Sequence, residues 1–102
     1  MITFIANLHV PQANADAFEE LMHHVSTMSN QEPGVIHYGF ARSVEQPEEY
    51  VVIEVYADAA ACASHGTTEW VRESIPKYLA LIEGMPRIVQ YVSPGADPIP
   101  MA

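Results

Sequence analysis

Tyr50-Val51-Val52-Ile53-Glu54-Val55-Tyr56-Ala57 runs straight into Asp58-Ala59-Ala60-Ala61-Cys62-Ala63-Ser64-His65. The first half is rich in β-branched and aromatic residues and reads as a strand over 50–57. Val51, Ile53 and Val55 fall on one face, and Val52 and Tyr56 on the other. Glu54, two residues from Tyr56, shares its side of the strand. Asp58 suits the N-cap of a short Ala-rich helix over 59–65, and Gly66 suits its C-terminal stop. A strand apolar on both faces must be covered twice, and a helix following within two residues can cover only one of them.

Upstream, Val35–Ser43 is a second β-rich run, separated from Tyr50 by a polar stretch containing Pro47, so the two are expected to form a hairpin. Glu32-Pro33-Gly34 is a turn. Before it, Phe18, Leu21, Met22, Val25 and Met28 recur at helical spacing through Ser29, with Asn14 as the expected N-cap and Asp16 in the first turn. Residues 2–10 alternate as a strand, with Phe4, Ala6, Leu8 and Val10 on one side and Thr3, Ile5, Asn7 and His9 on the other; Pro11 ends it. Downstream, Thr67 or Thr68 caps a helix carrying Trp70, Val71, Ile75, Tyr78, Leu79 and Ile82. Pro76 is expected to break or kink it, with Ser74 recapping the final turns. Gly84 and Pro86 close that helix, and Arg87–Val92 returns as a strand. The order β-α-β-β-α-β is that of an α+β, ferredoxin-like domain: a four-stranded antiparallel sheet with helices on one face. Its boundaries are set at 1–92, with 93–102 as an extended C-terminal tail that is either disordered or laid along a partner subunit. The apolar second face predicts a homodimer joined through the sheets.

Composition narrows the function classes. The 102 residues carry 13 acidic and 4 basic side chains, a formal charge of −9. That balance opposes binding to nucleic acid or to an anionic membrane. The longest apolar runs, Ala59–Ala63 and Tyr78–Ile82, are five residues each, against roughly 20 for a membrane span. The N-terminus lacks a basic leader, which predicts a cytoplasmic protein. A single cysteine, Cys62, excludes an internal disulfide, and no Cys/His spacing suggests a metal or haem site.

The segment from Glu54 to His65 resembles the signature of the antibiotic biosynthesis monooxygenase domain family: a strand ending in Glu-x-aromatic, an Asp, an Ala-rich turn of helix, and a His nine residues after the aromatic. Glu32-Pro33-Gly34 resembles the family's Glu-Pro-Gly element, and Met85-Pro86-Arg87-Ile88-Val89-Gln90-Tyr91 its closing strand, so the resemblance covers about residues 1–92. It implies a dimeric α+β barrel. It also implies an enzyme, a cofactor-independent monooxygenase that oxidises a small aromatic, quinol or polyketide-like metabolite with dioxygen. The substrate's own electron-rich anion supplies the electrons, and the protein binds it, eases its deprotonation and excludes water. A non-oxidative isomerase of the same fold and a non-catalytic small-molecule-binding dimer are the alternatives.

Within that frame His65 and Tyr56 are the candidate catalytic residues, His65 as proton acceptor and Tyr56 as hydrogen-bond donor to the resulting oxyanion. Tyr56 reads equally as a core tyrosine, and His65 as a cap at a helix C-terminus. Glu54 either pairs with Arg87 or Arg42 or acts at a cavity. Asn7 and His9 are expected to enter the same pocket from the first strand, and His37 to line it from the second. Trp70 reads as core. By the same resemblance Val52 stands where related monooxygenases carry Asn, Glu69 where the family often has His, and Ile75 where haem-degrading relatives have their haem-ligating His; no metal, haem or flavin is expected.

Overall fold

The computed structural model describes residues 1–101. Alternation organises it. β1 (Ile2–His9) is the central strand that pairs on both sides, so Ile2, Ala6 and Leu8 are buried under the helices while Asn7 points away. β2 (Val35–Arg42) and β3 (Glu49–Tyr56) form the expected hairpin, and β4 (Glu83–Val92) closes the sheet in the order β2-β3-β1-β4, every pair antiparallel. With α1 (Ala15–Ser29), α2 (Ala59–Gly66) and α3 (Glu69–Leu81) the architecture is the α+β, ferredoxin-like β-α-β-β-α-β arrangement read from the sequence.

The core fills the space between the sheet and α1. Phe18 is fully buried and meets Tyr50 edge-on at a ring-centroid distance of 5.0 Å and Phe40 at 6.4 Å. Leu8, Val10, Met22, Val25 and Val52 complete the cluster. The Tyr50 hydroxyl escapes desolvation by donating to the Glu19 carboxylate at the edge of the helix.

Four local expectations are corrected. Asn14 does not cap α1 with its side chain: a 3-10 turn over Gln12–Asn14 leads directly into the helix, leaving Asn14 in helical backbone, and its Nδ2 donates to the Leu81 carbonyl at 3.0 Å. Gly66 is the last residue of α2 rather than a left-handed stop, and the helix end is closed instead by the Thr68 hydroxyl donating to the His65 carbonyl at 2.8 Å. Pro76 lies inside an unbroken α3, and Ser74 does not recap the chain, its hydroxyl donating to the Val71 carbonyl at 2.7 Å. Packing of α3 against α1 overrides the proline there. β4 begins at Glu83, not Arg87, because a bulge opposite Asn7 and His9 absorbs Gly84 (φ 74°) and Pro86 costs nothing on an edge strand. Beyond β4 the chain folds back on itself: Gln90 clasps the Ile99 backbone, donating to its carbonyl at 2.8 Å and accepting from its N–H at 2.7 Å. Ala102, the last residue of the expected tail, lies outside the described residues.

Candidate active site

One corner of the molecule collects its buried ionisable side chains. The turn after α1 is held by Glu32 N–H donating to the Ser29 carbonyl at 3.0 Å and by Gly34, whose φ of 86° reverses the chain into β2. Ala57 N–H donates to the Gly34 carbonyl at 2.8 Å, stapling this turn to the end of β3. Asp58 then caps α2, its Oδ1 accepting from Ala61 N–H at 2.8 Å. Ala61 packs against Gly34, and His65, one helical turn later on the same face, is carried into the interior with only 5% of its surface exposed.

There His65 lies between two carboxylates and two phenol rings. Its Nδ1 is 2.9 Å from Glu32 Oε2 and its Nε2 is 3.9 Å from Glu54 Oε1. The rings of Tyr38 and Tyr56 flank the imidazole at centroid distances of 5.2 and 5.3 Å. Glu32 Oε2 also accepts from Trp70 Nε1–H at 3.2 Å, and the Tyr56 hydroxyl donates to Glu54 Oε1. Among the described residues neither Glu32 nor Glu54 has an ion pair with Lys or Arg. Burial pushes the Glu54 carboxyl above its ordinary range, partly opposed by the Tyr56 hydrogen bond and by His65. Burial also raises the Tyr38, Tyr56 and Tyr78 phenols, so all three remain protonated donors at neutral pH.

Glu54 and Tyr38 are the members of this group that reach open space. A cleft of about 70 Å³ between the sheet and the helices is lined by Glu54, Tyr38, Tyr78 and Met22, with Leu8, Val52, Pro86 and Ile88 as apolar walls. Tyr56, 1% exposed, and His65 stand behind Glu54 and do not line it.

The structure therefore brings Tyr56, His65 and Glu54 together and separates them from Asn7, His9 and His37. β1 presents its odd-numbered residues to the opposite side of the sheet, and a bulge between Val35 and His37 leaves His37 paired with Val55 on that same side. The expectation of one shared pocket is corrected on this point. Asn7 borders a broad polar depression of about 330 Å³ with Arg42, Ser43, Gln46 and Glu49. His9 is clasped by Glu49 at 2.7 Å, Glu48 at 3.3 Å and Glu83 at 3.6 Å. Glu54's expected cationic mates are elsewhere: Arg42 is 3.8 Å from Glu19, and Arg87 pairs across from Asn7 on the far face. Among the described residues no group of three or more His, Cys, Asp or Glu converges as metal ligands would, and no helix is long and apolar enough to cross a membrane. Sequence reasoning missed Glu32, Tyr38 and Tyr78 as site members. For Tyr38 the signal was present, since it alternates with Phe40 on the helix-side face of β2.

Comparison with known proteins finds the same fold. A Nitrosomonas europaea protein named as a candidate antibiotic biosynthesis monooxygenase superposes with a TM-score of 0.86 at 21% identity, over 92% of this chain and 99% of that one. A Caulobacter crescentus CB15 protein named in the same way gives 0.82 at 28% identity, over 88% and 86%. A conserved protein from Methanosarcina mazei Go1 gives 0.85 at 22% identity, over 88% and 89%. No curated protein matches the chain in sequence. The profile of the family described as antibiotic biosynthesis monooxygenase matches residues 1–77. With three quarters of its length matched by that profile, the chain belongs to the antibiotic biosynthesis monooxygenase family.

Proposed function

We propose that the chain is a cytoplasmic, cofactor-independent monooxygenase that oxidises a neutral phenol, quinol or polyketide-like aromatic in the helix-side cleft, with Glu54 as the base. The observation that carries this reading is Glu54 itself, a mid-strand carboxylate without a cationic partner, opening onto an apolar cleft between two tyrosines. A carboxylate whose pKa burial raises is a stronger base than one in water, which favours abstracting a proton from an acidic phenol.

The substrate anion, electron-rich and shielded from water, gives two electrons to dioxygen as a ring carbon–oxygen bond forms, and cleavage of the O–O bond with loss of a ring proton takes two more from the substrate. One oxygen atom bonds to the ring system, and the other leaves as water with the two hydrogens the substrate has lost. Tyr56 holds Glu54 in place, and Tyr38 and Tyr78 present phenol hydroxyls at the cleft. The cleft has room for a few water molecules, so a substrate ring enters only as the cleft widens.

Oxygen uptake with a panel of hydroquinones tests the reading. One dioxygen is consumed per substrate oxidised, and Glu54→Gln lowers the rate by about 10²–10⁴-fold. No uptake across the panel, or uptake unchanged in Glu54→Gln, refutes it; proton exchange into the substrate without uptake points to the isomerase alternative. The same proposal has two copies meeting through the far face of the sheet, where Ile5, Val51, Ile53, Val55 and Val89 are half-exposed. Light scattering is expected at twice the 11.3 kDa of one chain, and a monomer at micromolar concentration refutes it.

A further inference from the structure

We propose that Glu32, a turn residue outside the cleft, is a positioning residue that sets the tautomer of His65, so that His65 Nε2 takes from Glu54 the proton Glu54 has removed from the substrate. The inference rests on the reading of Glu54 as the base. Glu32 Oε2 accepts from Trp70 Nε1–H at 3.2 Å, and an indole N–H can only donate, so that oxygen is committed as an acceptor. The imidazole nitrogen 2.9 Å from the same oxygen is Nδ1, which is thereby held as the N–H donor. Nε2 is left with its lone pair facing Glu54 Oε1 at 3.9 Å, a separation that a small side-chain adjustment closes.

The proton balance follows. Glu54 becomes a neutral carboxylic acid on deprotonating the substrate. Transfer of that proton to Nε2 restores the carboxylate and makes an imidazolium flanked by Glu32 and Glu54. The return step delivers the proton through Glu54 to the oxygen that departs as water. Without Glu32 the imidazole is free to carry its proton on Nε2, pointing a donor at Glu54 and leaving it no acceptor. Glu32 and His65 are both nearly buried, with 9% and 7% of their side chains exposed, so water does not supply an alternative partner.

Proton–nitrogen correlation NMR of the imidazoles at alkaline pH, where a neutral ring reports its tautomer, tests the proposal. Wild-type His65, assigned by its loss in His65→Gln, is expected as Nδ1–H, and Glu32→Gln is expected to convert part or all of it to Nε2–H. Trp70→Phe removes the other donor but keeps the carboxylate, and is expected to leave His65 as Nδ1–H. Nε2–H in the wild type, no change in Glu32→Gln, or an equal loss of Nδ1–H in Trp70→Phe each overturns the proposal. The wild-type spectrum decides it even where a variant fails to fold. It needs no substrate, so it is read independently of whether any quinol is oxidised. On a quinol that is oxidised, Glu32→Gln is expected to lower kcat by about 10²-fold with KM unchanged, the split of a residue that does not line the cleft. An unchanged kcat removes the positioning role.

Discussion

Gly34→Ala tests how the corner of the site is held. Gly34 has a φ of 86°, and a Cβ added there would lie 2.7 Å from the Ala61 Cβ. Two penalties combine. An L-residue in the left-handed region costs about 1–2 kcal/mol, and forcing a methyl into a packed contact costs about 1–3 kcal/mol. Ala also restricts the unfolded chain, which returns about 0.4–1 kcal/mol. The net expectation is a destabilisation of roughly 2–4 kcal/mol, a shift in the urea midpoint with an unchanged slope. A domain of this size has about 5–15 kcal/mol in hand, so the variant still folds and can be measured. Ala61→Gly separates the two penalties: it removes the steric clash and leaves the backbone strain. A double-mutant cycle is therefore expected to give a coupling of about 1–3 kcal/mol, the cost of glycine in the helix cancelling within the cycle. Gly34→Ala within about 0.5 kcal/mol of wild type, or a cycle without coupling, refutes the claim that α2 is seated on this glycine.

Three further outcomes are expected. Burial raises the folded-state pKa of Glu54 above the unfolded value of 4.5, so folding favours its protonated form and its contribution to stability falls as pH rises through the raised value. Glu54→Gln is therefore expected to gain stability over wild type increasingly with pH in urea titrations, and a gain that shrinks with pH refutes the assignment. His9 is raised from 6.5, first by its hydrogen bond to Glu49 and further by Glu48 and Glu83, so its stabilisation is complete below 6.5 and lost as pH rises through the higher folded value. His9→Gln is expected to flatten the melting-temperature profile above pH 6.5, and an unchanged profile shows that the clasp adds nothing. Phe18→Ala empties a fully buried site touched by two aromatic rings and is expected to cost about 3–5 kcal/mol by denaturant unfolding, against the sub-kilocalorie loss of an exposed position.

The element order was legible because apolar periodicity switches cleanly between two and 3.6 along the chain, and because Asp58 and Gly34 mark turns by chemistry that few other residues supply. What misled was residue type read without tertiary context. Pro76 and Pro86 read as boundaries in the sequence, yet one sits in a helix braced by α1 and the other on an edge strand without a hydrogen bond to lose. The site divided along the same line. Glu54 and Tyr56 were assigned to one side from their spacing, and that is where they lie. His65 joined them because Asp58 and the Ala run dictate a helix whose buried stripe includes residues 61 and 65. Alternation puts Asn7 and His9 on the side of β1 opposite Ala6 and Leu8, but it does not say which side of each strand the helices cover, and the bulge that leaves His37 opposite Val55 has no signal in the sequence. Glu32 was hidden because its backbone makes a turn while its side chain serves a helix 33 residues away.

The charge around the site also bears on what the cleft accepts. None of the chain's four basic residues lines it, while the Glu54 carboxylate does, with His65 and then Glu32 behind it. A substrate bearing a carboxylate or phosphate would be desolvated against Glu54 with no cation to receive it, a loss that apolar walls cannot return. A neutral phenol faces no such penalty, because its hydroxyl proton is what Glu54 binds, and its ring replaces water against Leu8, Val52 and Ile88. The substrate becomes negative only as Glu54 takes its proton and is neutralised, and passing that proton on to His65 places a cation between Glu32 and Glu54. The absence of a cationic anchor and the buried Glu–His–Glu arrangement thus belong to one design, in which a neutral substrate is admitted and the charge its oxidation needs is created inside.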